Sequence, residues 1–352
     1  MDNKRKIVFV SGSLNRSGAQ RVISLLANRF ADLGWDVHLA LLLSNNIGFQ
    51  LNSRITVHDI ARGYSAKHAL NWIKDLKKIF IEIKPSVIVS FVGRINILTM
   101  LAAKGLGFPV VLSERNDPNY DRRGKMERSL CKKLYAKADK VIFQTSYQAG
   151  CYLKSCDKNS EIIVNPISAP VYTGSHPVKD IICVGKLMDQ KNHPMMINAF
   201  AQIASEFPDT DLWIYGEGKL RAALEEMINS HGLTSRIHMP GNIDNIFDVM
   251  QKNEFFVMCS NYEGLSNALL EAMTSGMICI STKWNGVTDV ICDGENGFLI
   301  PLDDQNALAE LLRKVIKADN EMIRKMAIDS GKSYSSDLVI EQWYKVINGL
   351  AK

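Results

Sequence analysis

The chain has 352 residues, 46% hydrophobic and 22% charged, which is typical of a soluble globular protein. This length is too great for one ordinary core and favours two domains, and no apolar run approaches the ~18 residues of a membrane-spanning helix. The net charge of +5 conceals a division, because residues 1–176 sum to +13 and the remainder to −8. Such an asymmetry suggests that one half faces an anionic partner.

Short β-branched runs alternate with helix-period segments from the N-terminus onward. The apolar run behind the basic residues 4–6 is too short for a signal peptide and favours a first buried strand, so we expect a cytosolic protein. Helices are predicted between most of the strands, for example at 18–33 and 66–83. The predicted strands of the first half are 6–11, 36–43, 55–60, 86–91, 109–113, 140–144 and 161–164.

The second half repeats this alternation, which predicts α/β architecture with parallel sheets covered by helices on both faces. Its predicted strands are 180–184, 211–215, 236–239, 254–259, 277–281 and 297–300. The turn-rich segment 168–177 is typical of a linker. We therefore expect two doubly wound domains, 1–170 and 178–334, facing each other across a cleft, and a final amphipathic helix at 335–352. Ligands of such sheets bind beyond the carboxyl ends of the strands.

The segment 121–140 is strongly basic. Among its basic side chains, Leu130, Leu134 and Tyr135 recur at roughly helical spacing. A basic amphipathic helix of this kind suits an anionic membrane surface, although it can also be an ordinary solvated face. No recognised nucleic-acid-binding module accompanies the charge, so we expect no nucleic-acid partner. The basic residues are Arg122, Arg123, Lys125, Arg128, Lys132, Lys133, Lys137 and Lys140.

The cysteines indicate no disulfide framework and no metal site. There are seven, none in a Cys-x-x-Cys pair, and several lie in apolar strands, so we expect reduced core residues. No cluster of His, Cys and Asp has convincing metal-ligand spacing.

A small-residue turn follows the first predicted strand and leads into a helix. It contains Gly12 and Gly18, with Arg16 and Arg21 nearby. Backbone amides at such a helix start suit a phosphate or diphosphate, although the turn could be purely structural. The turn lacks the Gly-x-Gly-x-x-Gly pattern, which argues against a dehydrogenase.

Further turns of this kind follow strands of the second half. Lys186 and Lys191, behind Gly185, could neutralise a diphosphate leaving group, or they could simply be solvated. Gly216 and Gly218 would let a ligand approach the backbone. The segment 238–242, which contains Gly241, could lie against a base.

The most informative stretch runs from Glu263 to Glu271. Two carboxylates flank a glycine turn and a helix start, just after an apolar strand. Such a helix start binds phosphate, and carboxylates accept hydrogen bonds from the hydroxyls of a sugar and a ribose. A nucleotide-sugar has all of these groups, whereas the alternative is a strand end and a solvated helix face.

In their order along one chain, these turns resemble the retaining glycosyltransferases of the GT-B fold, specifically the large family 4. Three motifs carry the resemblance, which spans essentially the whole chain. They are the pair Glu263 and Glu271 with seven residues between, the segment Gly185-Lys186-Leu187 with Lys191, and the turn from Ser17 to Arg21.

The resemblance implies a role for each matched residue. Glu263 would hold donor-sugar hydroxyls and support oxocarbenium charge, Glu271 would bind the ribose, and Lys186 and Lys191 would stabilise the departing β-phosphate. The acceptor side would be lined by the turn from Gly12 to Gly18, and the final helix would pack back on the first domain. The diphosphate and sugar would meet Gly264, Leu265, Ser266 and Asn267.

Two positions depart from the family pattern. Lysine stands at 186 where many members have arginine, which keeps the charge but loses the bidentate fork. Arg115 aligns with a histidine that often lies near the reacting centre. Glu114, Arg115 and Asn116 are therefore the candidates for orienting the acceptor, in place of a general base.

The expected activity is retaining, metal-independent transfer of a hexose or N-acetylhexosamine. The donor would be a UDP-sugar, and the acceptor a lipid-diphosphate glycan of O-antigen, capsule or glycoprotein assembly, at the inner face of an anionic plasma membrane. No cofactor is expected. The alternatives are a soluble transferase acting on a small metabolite, a non-catalytic nucleotide-sugar-binding module, and, less favoured, an epimerase or phosphorylase.

Overall fold

The structure, a computed structural model, describes residues 4–15, 17–121, 123–168, 172, 174, 176 and 178–351, without the side chains of residues 153 and 154. It divides into two compact units. Unit 1 is Met1–Pro166 with Ser336–Lys352, and unit 2 is Ile167–Ser335. The predicted linker 168–177 falls partly outside the described residues, so only its residues 168, 172, 174 and 176 are placed.

Unit 1 contains a seven-stranded parallel sheet of order β3-β2-β1-β4-β5-β6-β7. Its strands are β1 (Lys6–Ser11), β2 (Asp36–Leu41), β3 (Thr56–Asp59), β4 (Val87–Phe91), β5 (Val110–Ser113), β6 (Lys140–Phe143) and β7 (Ser160–Ile162). Its helices are α1 (Gly18–Asp32), α2 (Ala69–Ile83), α3 (Gly93–Ala103), α4 (Lys125–Tyr135), α5 (Ser146–Gly150) and α6 (Leu153–Cys156). A short 3₁₀ turn, Ala66–His68, precedes α2.

Strand β1 shows why the sheet is covered on both faces. Side chains alternate along a strand, so Val8 and Val10 join the core on one face, while Ile7 and Phe9 join the core on the other. All four are fully buried. A continuous apolar run is the sequence pattern of such a two-sided strand.

Unit 2 contains a six-stranded parallel sheet of order β10-β9-β8-β11-β12-β13. Its strands are β8 (Val178–Val184), β9 (Leu212–Tyr215), β10 (Ile237–Gly241), β11 (Asn253–Met258), β12 (Ile278–Thr282) and β13 (Phe298–Ile300). Its helices are α7 (His193–Ala201), α8 (Arg221–Ser230), α9 (Ile246–Met250), α10 (Asn267–Thr274), α11 (Gln305–Lys317) and α12 (Glu321–Lys332).

The last helix, α13 (Ser336–Leu350), belongs to unit 1. Val339, Trp343 and Ile347, four residues apart along one helix face, are fully buried in the same core cluster as β1. The Trp343 ring stacks on Phe91 of β4 with 5.5 Å between centroids. Burial of this aromatic side chain fixes the helix on the first unit.

The prediction of two doubly wound α/β units is confirmed, and each predicted strand corresponds to an observed one. Several boundaries differ by one or two residues. In β2, for example, the strand ends at Leu41, and Leu42 and Leu43 lie in the following turn, bonded to Ser11 and Gly12. In each sheet the order in which successive strands are added reverses once, at the neighbouring strands β1 and β4 in unit 1 and β8 and β11 in unit 2. Such switch points are where α/β sheets bind ligands.

Within the described residues, no helix is long and apolar enough to cross a membrane, and no group of three His, Cys, Asp or Glu side chains could hold a metal ion. The cysteines are all free, but not all are core residues as predicted. Cys292 is exposed and Cys151 half-buried, whereas the other five are buried.

Candidate active site

The switch point of unit 2 brings together the two most informative sequence motifs. Strands β8 and β11 are paired in parallel, with Ile182 opposite Phe256. Parallel strands end at the same edge of a sheet, so the turn after β8, with its two lysines, meets the turn after β11, which carries Glu263.

Glu263 lies at the centre of this junction and is only 8% exposed. Its Oε1 atom accepts from Lys191 Nζ at 2.5 Å and from Ser260 Oγ at 2.8 Å, and its Oε2 accepts from Gln190 Nε2 at 3.2 Å. A charged pair so far removed from water is held by close geometry and further hydrogen bonds. The carboxylate is therefore fixed in position.

A 3₁₀ turn, Asp189–Lys191, holds Lys191 in place. Asn192 ends it in the left-handed conformation at φ 47°, which Asn tolerates better than most residues. The backbone N–H of Asn261 donates to Gln190 O at 2.8 Å, tying this turn to the Glu263 turn. The aliphatic part of the Lys191 side chain also packs over Gly185, where an added Cβ atom would lie 3.1 Å from Lys191 Cε.

Helix α10 begins four residues after Glu263. Ser266 caps it by accepting from Leu269 N at 3.4 Å, and the first turn contains no acidic residue. The N-terminal amides and the helix dipole therefore present positive charge at this edge of the sheet. Gly264 and Asn267 are half-buried, and Leu265 is buried.

Glu271 lies on α10, one turn beyond Asn267, and is 6% exposed. Residues four apart share a helix face, so the two side chains point the same way. A carboxylate this buried is uncommon on a helix surface, which contradicts the alternative of a solvated face.

Three glycines allow the turns of unit 2 to approach one another. A Cβ at Gly216, whose φ is +142°, would lie 2.0 Å from Gly185 O, and one at Gly218 would lie 2.3 Å from Leu187 O. Gly241 adopts φ +87° at the end of β10. A larger residue at 216 or 218 would push these strand ends apart.

The same strand ends enclose a cavity of about 250 Å³. Lys186 is exposed beside it, in contrast to half-buried Lys191. Tyr215 forms part of the wall, with Asn242 and Ile243 from the turn after β10. The whole lining is Val184, Gly185, Lys186, Tyr215, Gly216, Asn242, Ile243 and Ile246.

His193, the first residue of α7, was missed by the sequence analysis. It is fully buried, and neither ring nitrogen has a hydrogen-bond partner among the described residues. Burial, together with the nearby Lys191 charge, lowers the pKa of His193 to about 4. Its place two residues after Lys191 is the one sequence signal that could have pointed to it.

In unit 1, the predicted glycine turn lies at the switch point between β1 and β4. Gly12 is buried, and a Cβ there would lie 2.8 Å from Leu43 Cδ1. Gly18 begins α1 and Arg21 is half-buried in its first turn. Arg16 lies outside the described residues.

Two of the three residues predicted to orient an acceptor, Glu114 and Arg115, are buried. Glu114 is fully buried: its Oε2 is 2.8 Å from Arg123 Nη2 and accepts from the hydroxyls of Tyr135 at 3.0 Å and Tyr152 at 3.3 Å. Asn116, in contrast, is exposed, and its N–H points to Glu114 Oε1 at 3.4 Å. The complete burial of Glu114 favours a positioning role for this residue over direct contact with an acceptor.

Arg115 is likewise buried, at 6% exposure. It donates to Ser113 Oγ at 2.7 Å and to Asn165 Oδ1 at 2.6 Å, and its guanidinium lies 5.3 Å from the ring centroid of Trp343. Burial lowers the pKa of Arg115 to about 9, although the neighbouring Glu114 opposes the shift. The arginine therefore joins β5 to α13 within the fold of unit 1.

Val92, directly after β4, was also missed. Its φ of +74° is a genuine outlier for a β-branched residue. Strained backbone of this kind is concentrated at functional sites. Its position at the switch point of unit 1 places it at the same edge of the sheet as Gly12.

Helix α4 is basic, as predicted, but its apolar face is largely used by the core. Tyr135 is fully buried and Leu134 packs against the same cluster, whereas Leu130 stays exposed. Lys132 and Lys133 are exposed in the last turn. The predicted basic residue Arg123 is instead buried against Glu114, and Arg122 lies outside the described residues.

Comparison with known families decides what these sites belong to. The family model described as glycosyl transferases group 1 matches residues 173–333, and that described as glycosyl transferase 4-like matches residues 15–145. The chain belongs to these glycosyltransferases. The resemblance seen in the sequence motifs is thereby confirmed for both units.

Two relatives come from Campylobacter jejuni. This glycosyltransferase is 27% identical, over 97% of its own length and 98% of the relative, to a "GalNAc-alpha-(1->4)-GalNAc-alpha-(1->3)-diNAcBac-PP-undecaprenol alpha-1,4-N-acetyl-D-galactosaminyltransferase". It is 26% identical, over 87% and 89% of the two chains, to an "N-acetylgalactosamine-N,N'-diacetylbacillosaminyl-diphospho-undecaprenol 4-alpha-N-acetylgalactosaminyltransferase".

Solved structures confirm the GT-B fold of the glycosyltransferase. Sucrose-phosphate synthase from Thermosynechococcus elongatus matches with a TM-score of 0.85 at 16% identity, over 99% of both chains. Anabaena HepE in complex with UDP and glucose matches with a TM-score of 0.82 at 16% identity, over 98% of this chain and all of that one.

Proposed function

We propose that this glycosyltransferase moves a hexose or N-acetylhexosamine from a UDP-sugar to a lipid-diphosphate-linked glycan, with retention of the anomeric configuration. The observation that carries the proposal is the largely shielded ion pair of Lys191 and Glu263 beside the start of α10. It combines a fixed carboxylate, a cation and the N-terminal amides of a helix at one switch point.

The donor would lie along the strand ends of unit 2. Its diphosphate would accept from the amides of residues 264–267, its ribose hydroxyls would donate to Glu271, and its base would occupy the cavity beside Tyr215 and Asn242. The glycines at 185, 216, 218 and 241 keep these turns close enough to enclose a nucleotide. HepE, of the same fold, was solved with UDP and glucose, which supports a UDP-linked donor.

In the reaction, the bond between the sugar and the β-phosphate would break and leave UDP. Lys191 and Lys186 would neutralise the negative charge that develops on this phosphate, in place of a divalent metal. Glu263 would hold sugar hydroxyls and stabilise the positive charge on the ring. Attack by the acceptor from the same face, with its proton passing to the leaving phosphate, would retain the configuration.

The acceptor would bind at the strand ends of unit 1. The names of both Campylobacter relatives contain undecaprenol linked through a diphosphate, which supports a lipid-diphosphate acceptor and a place in bacterial polysaccharide, lipopolysaccharide or glycoprotein glycan assembly. Exposed lysines of α4 would hold unit 1 at an anionic inner membrane surface.

The experiment is a panel of UDP- and GDP-sugars, each incubated with a lipid-diphosphate glycan extract or with small-molecule acceptors, followed by mass analysis. The proposal expects one UDP-sugar to extend the lipid-linked glycan. Transfer only to small molecules would contradict the acceptor. If the protein binds a donor but neither transfers the sugar nor slowly hydrolyses the donor, a non-catalytic binding module would be favoured.

A further inference from the structure

An apolar groove of about 530 Å³ opens in unit 1 between α2, α3 and α4. Leu70 and Ile73 come from α2, Leu98 and Leu101 from α3, and Leu130 from α4. Several lining residues are unusually exposed for apolar side chains: Tyr64 by 73%, Leu70 by 72%, Leu130 by 38% and Leu101 by 37%. Single exposed apolar side chains are normal, but a group of them lining one groove indicates a binding site.

The groove begins at the proposed acceptor site. A Cβ at Gly12 would lie 2.8 Å from Leu43 Cδ1 and 3.7 Å from Ile95 Cδ1, and both of these side chains line the groove. Arg94 and Ile95 stand in the first turn of α3, directly after β4. The groove therefore leads from the ligand-binding edge of the sheet outward between the helices.

Charged groups surround this apolar lining. Arg94 and Glu127 pair across its rim at 2.9 Å. Lys67 is exposed before α2, and Lys132 and Lys133 are exposed on α4 beyond Leu130. An apolar channel with a basic surround complements an amphiphile that has a hydrocarbon chain and an anionic head.

We propose that this groove binds the first isoprene units of the polyprenyl chain of the lipid-diphosphate acceptor. The proposal rests on the proposed function, since it names how that acceptor is held. The groove suits a single chain better than a bilayer surface, because Ile73 and Leu98 are half-buried and Trp72, also in the lining, is only 4% exposed. A flat membrane could not reach these side chains.

The test uses the glycan identified by the acceptor panel, attached through a diphosphate to methanol, citronellol or farnesol, with no vesicles present. We expect the KM to fall by about tenfold or more from the methyl to the farnesyl ester, while kcat changes little, because each buried methylene favours binding. The double variant Leu101→Gln/Leu130→Gln should lose this dependence on the chain.

Matched controls exist on the same helices. Ile81 on α2 is 50% exposed and Met126 on α4 is 87% exposed, and neither lines the groove. Ile81→Gln and Met126→Gln should therefore keep the wild-type dependence on the chain. Titration with farnesyl diphosphate, followed by Trp72 fluorescence and with Trp72→Phe as the reference, measures binding without turnover.

The outcomes separate the two proposals. Equal KM values for all three esters, with transfer intact, would overturn the groove proposal alone. If the dependence on chain length needs anionic vesicles and is lost in Met126→Gln, the surface binds a bilayer. If the wild type dimerises and Leu101→Gln/Leu130→Gln abolishes the dimer, the surface binds a second copy. Either result overturns the proposal. No transfer to any diphosphate ester would overturn the proposed function, and this inference with it.

Discussion

Lys191 Nζ lies 2.5 Å from Glu263 Oε1, although 72 residues separate them in the chain. Both side chains are largely shielded from water, with 16% and 10% of their surfaces exposed. The pairing exists because β8 and β11 are neighbours in the sheet, so the turns that follow them meet. In this account, the lysine serves the leaving phosphate and the carboxylate serves the sugar.

Substitutions of Lys191 should distinguish the effect of its positive charge from the effect of its side-chain size. We expect Lys191→Met to lower kcat by roughly 10²–10³-fold, since the leaving phosphate loses a cation, and Lys191→Arg to retain more of the activity. The same change at an exposed lysine of α11, Lys314→Met, should leave kcat unchanged. Steady-state kinetics with saturating donor measures all three, and wild-type turnover in Lys191→Met would contradict its role.

For UDP binding, the close approach of Gly216 to Gly185 should matter more than the positive φ of Gly216. In Gly216→Ala the new Cβ would meet Gly185 O, so we expect donor-side turns to separate and the Kd for UDP to rise about tenfold or more. Gly232 also has positive φ, at +68°, but apart from its chain neighbours no atom of the described residues lies within 4 Å of a Cβ added there. Gly232→Ala should cost about 1 kcal/mol of stability and leave UDP affinity intact. Calorimetric titration with UDP compares them, and equal affinities would contradict the close-approach argument.

Buried His193 should make the protein less stable in mild acid. Its pKa is lowered to about 4 in the folded state, so below pH 6.5 the unfolded chain takes up a proton that the folded chain does not. Its contribution to stability is therefore complete above pH 6.5 and declines as the pH falls toward 4, by at most about 3 kcal/mol.

The test is the free energy of unfolding in urea between pH 7 and pH 4.5. His193→Phe should lose less stability over this range than the wild type, whereas His231→Phe, at an exposed position, should follow the wild type. An unchanged pH dependence in His193→Phe would show that this imidazole does not cause the loss.

The lysines of α4 should govern attachment to an anionic surface. We expect Lys132→Glu/Lys133→Glu to weaken sedimentation with anionic vesicles, since each basic group near such a surface contributes about 1 kcal/mol. The charge-matched control is Lys314→Glu/Lys325→Glu in unit 2, which should bind as the wild type does. No preference of the wild type for anionic lipid, or equal binding by both variants, would contradict the membrane proposal.

Local sequence patterns were enough to predict the fold and the main turns of the candidate site. A run such as Lys6–Ser11 has few alternatives to a buried strand, because both of its faces are apolar. The turns with Gly12, Lys191 and Glu263 each follow such a strand, so the order of elements alone placed them at the ligand-binding edges of the sheets.

Contacts between distant segments could not be predicted in this way. Arg115 lies against Trp343, and its burial depends on a helix that no local pattern near residue 115 reveals. Val92 adopts a positive φ that its residue type disfavours, so propensity predicts the opposite. The apolar groove requires three helices to meet, and the exposure of Leu70 and Leu130 emerges only from that packing.

The most direct test of the account is transfer of a radiolabelled sugar from its UDP donor to a lipid-diphosphate acceptor, comparing the wild type with Glu263→Ala. The account predicts that label enters the organic phase with the wild type, that Glu263→Ala reduces this by roughly 10²–10³-fold or more, and that both proteins bind UDP with similar Kd. Near-normal transfer by Glu263→Ala, or no transfer by a wild type that binds UDP, would contradict it.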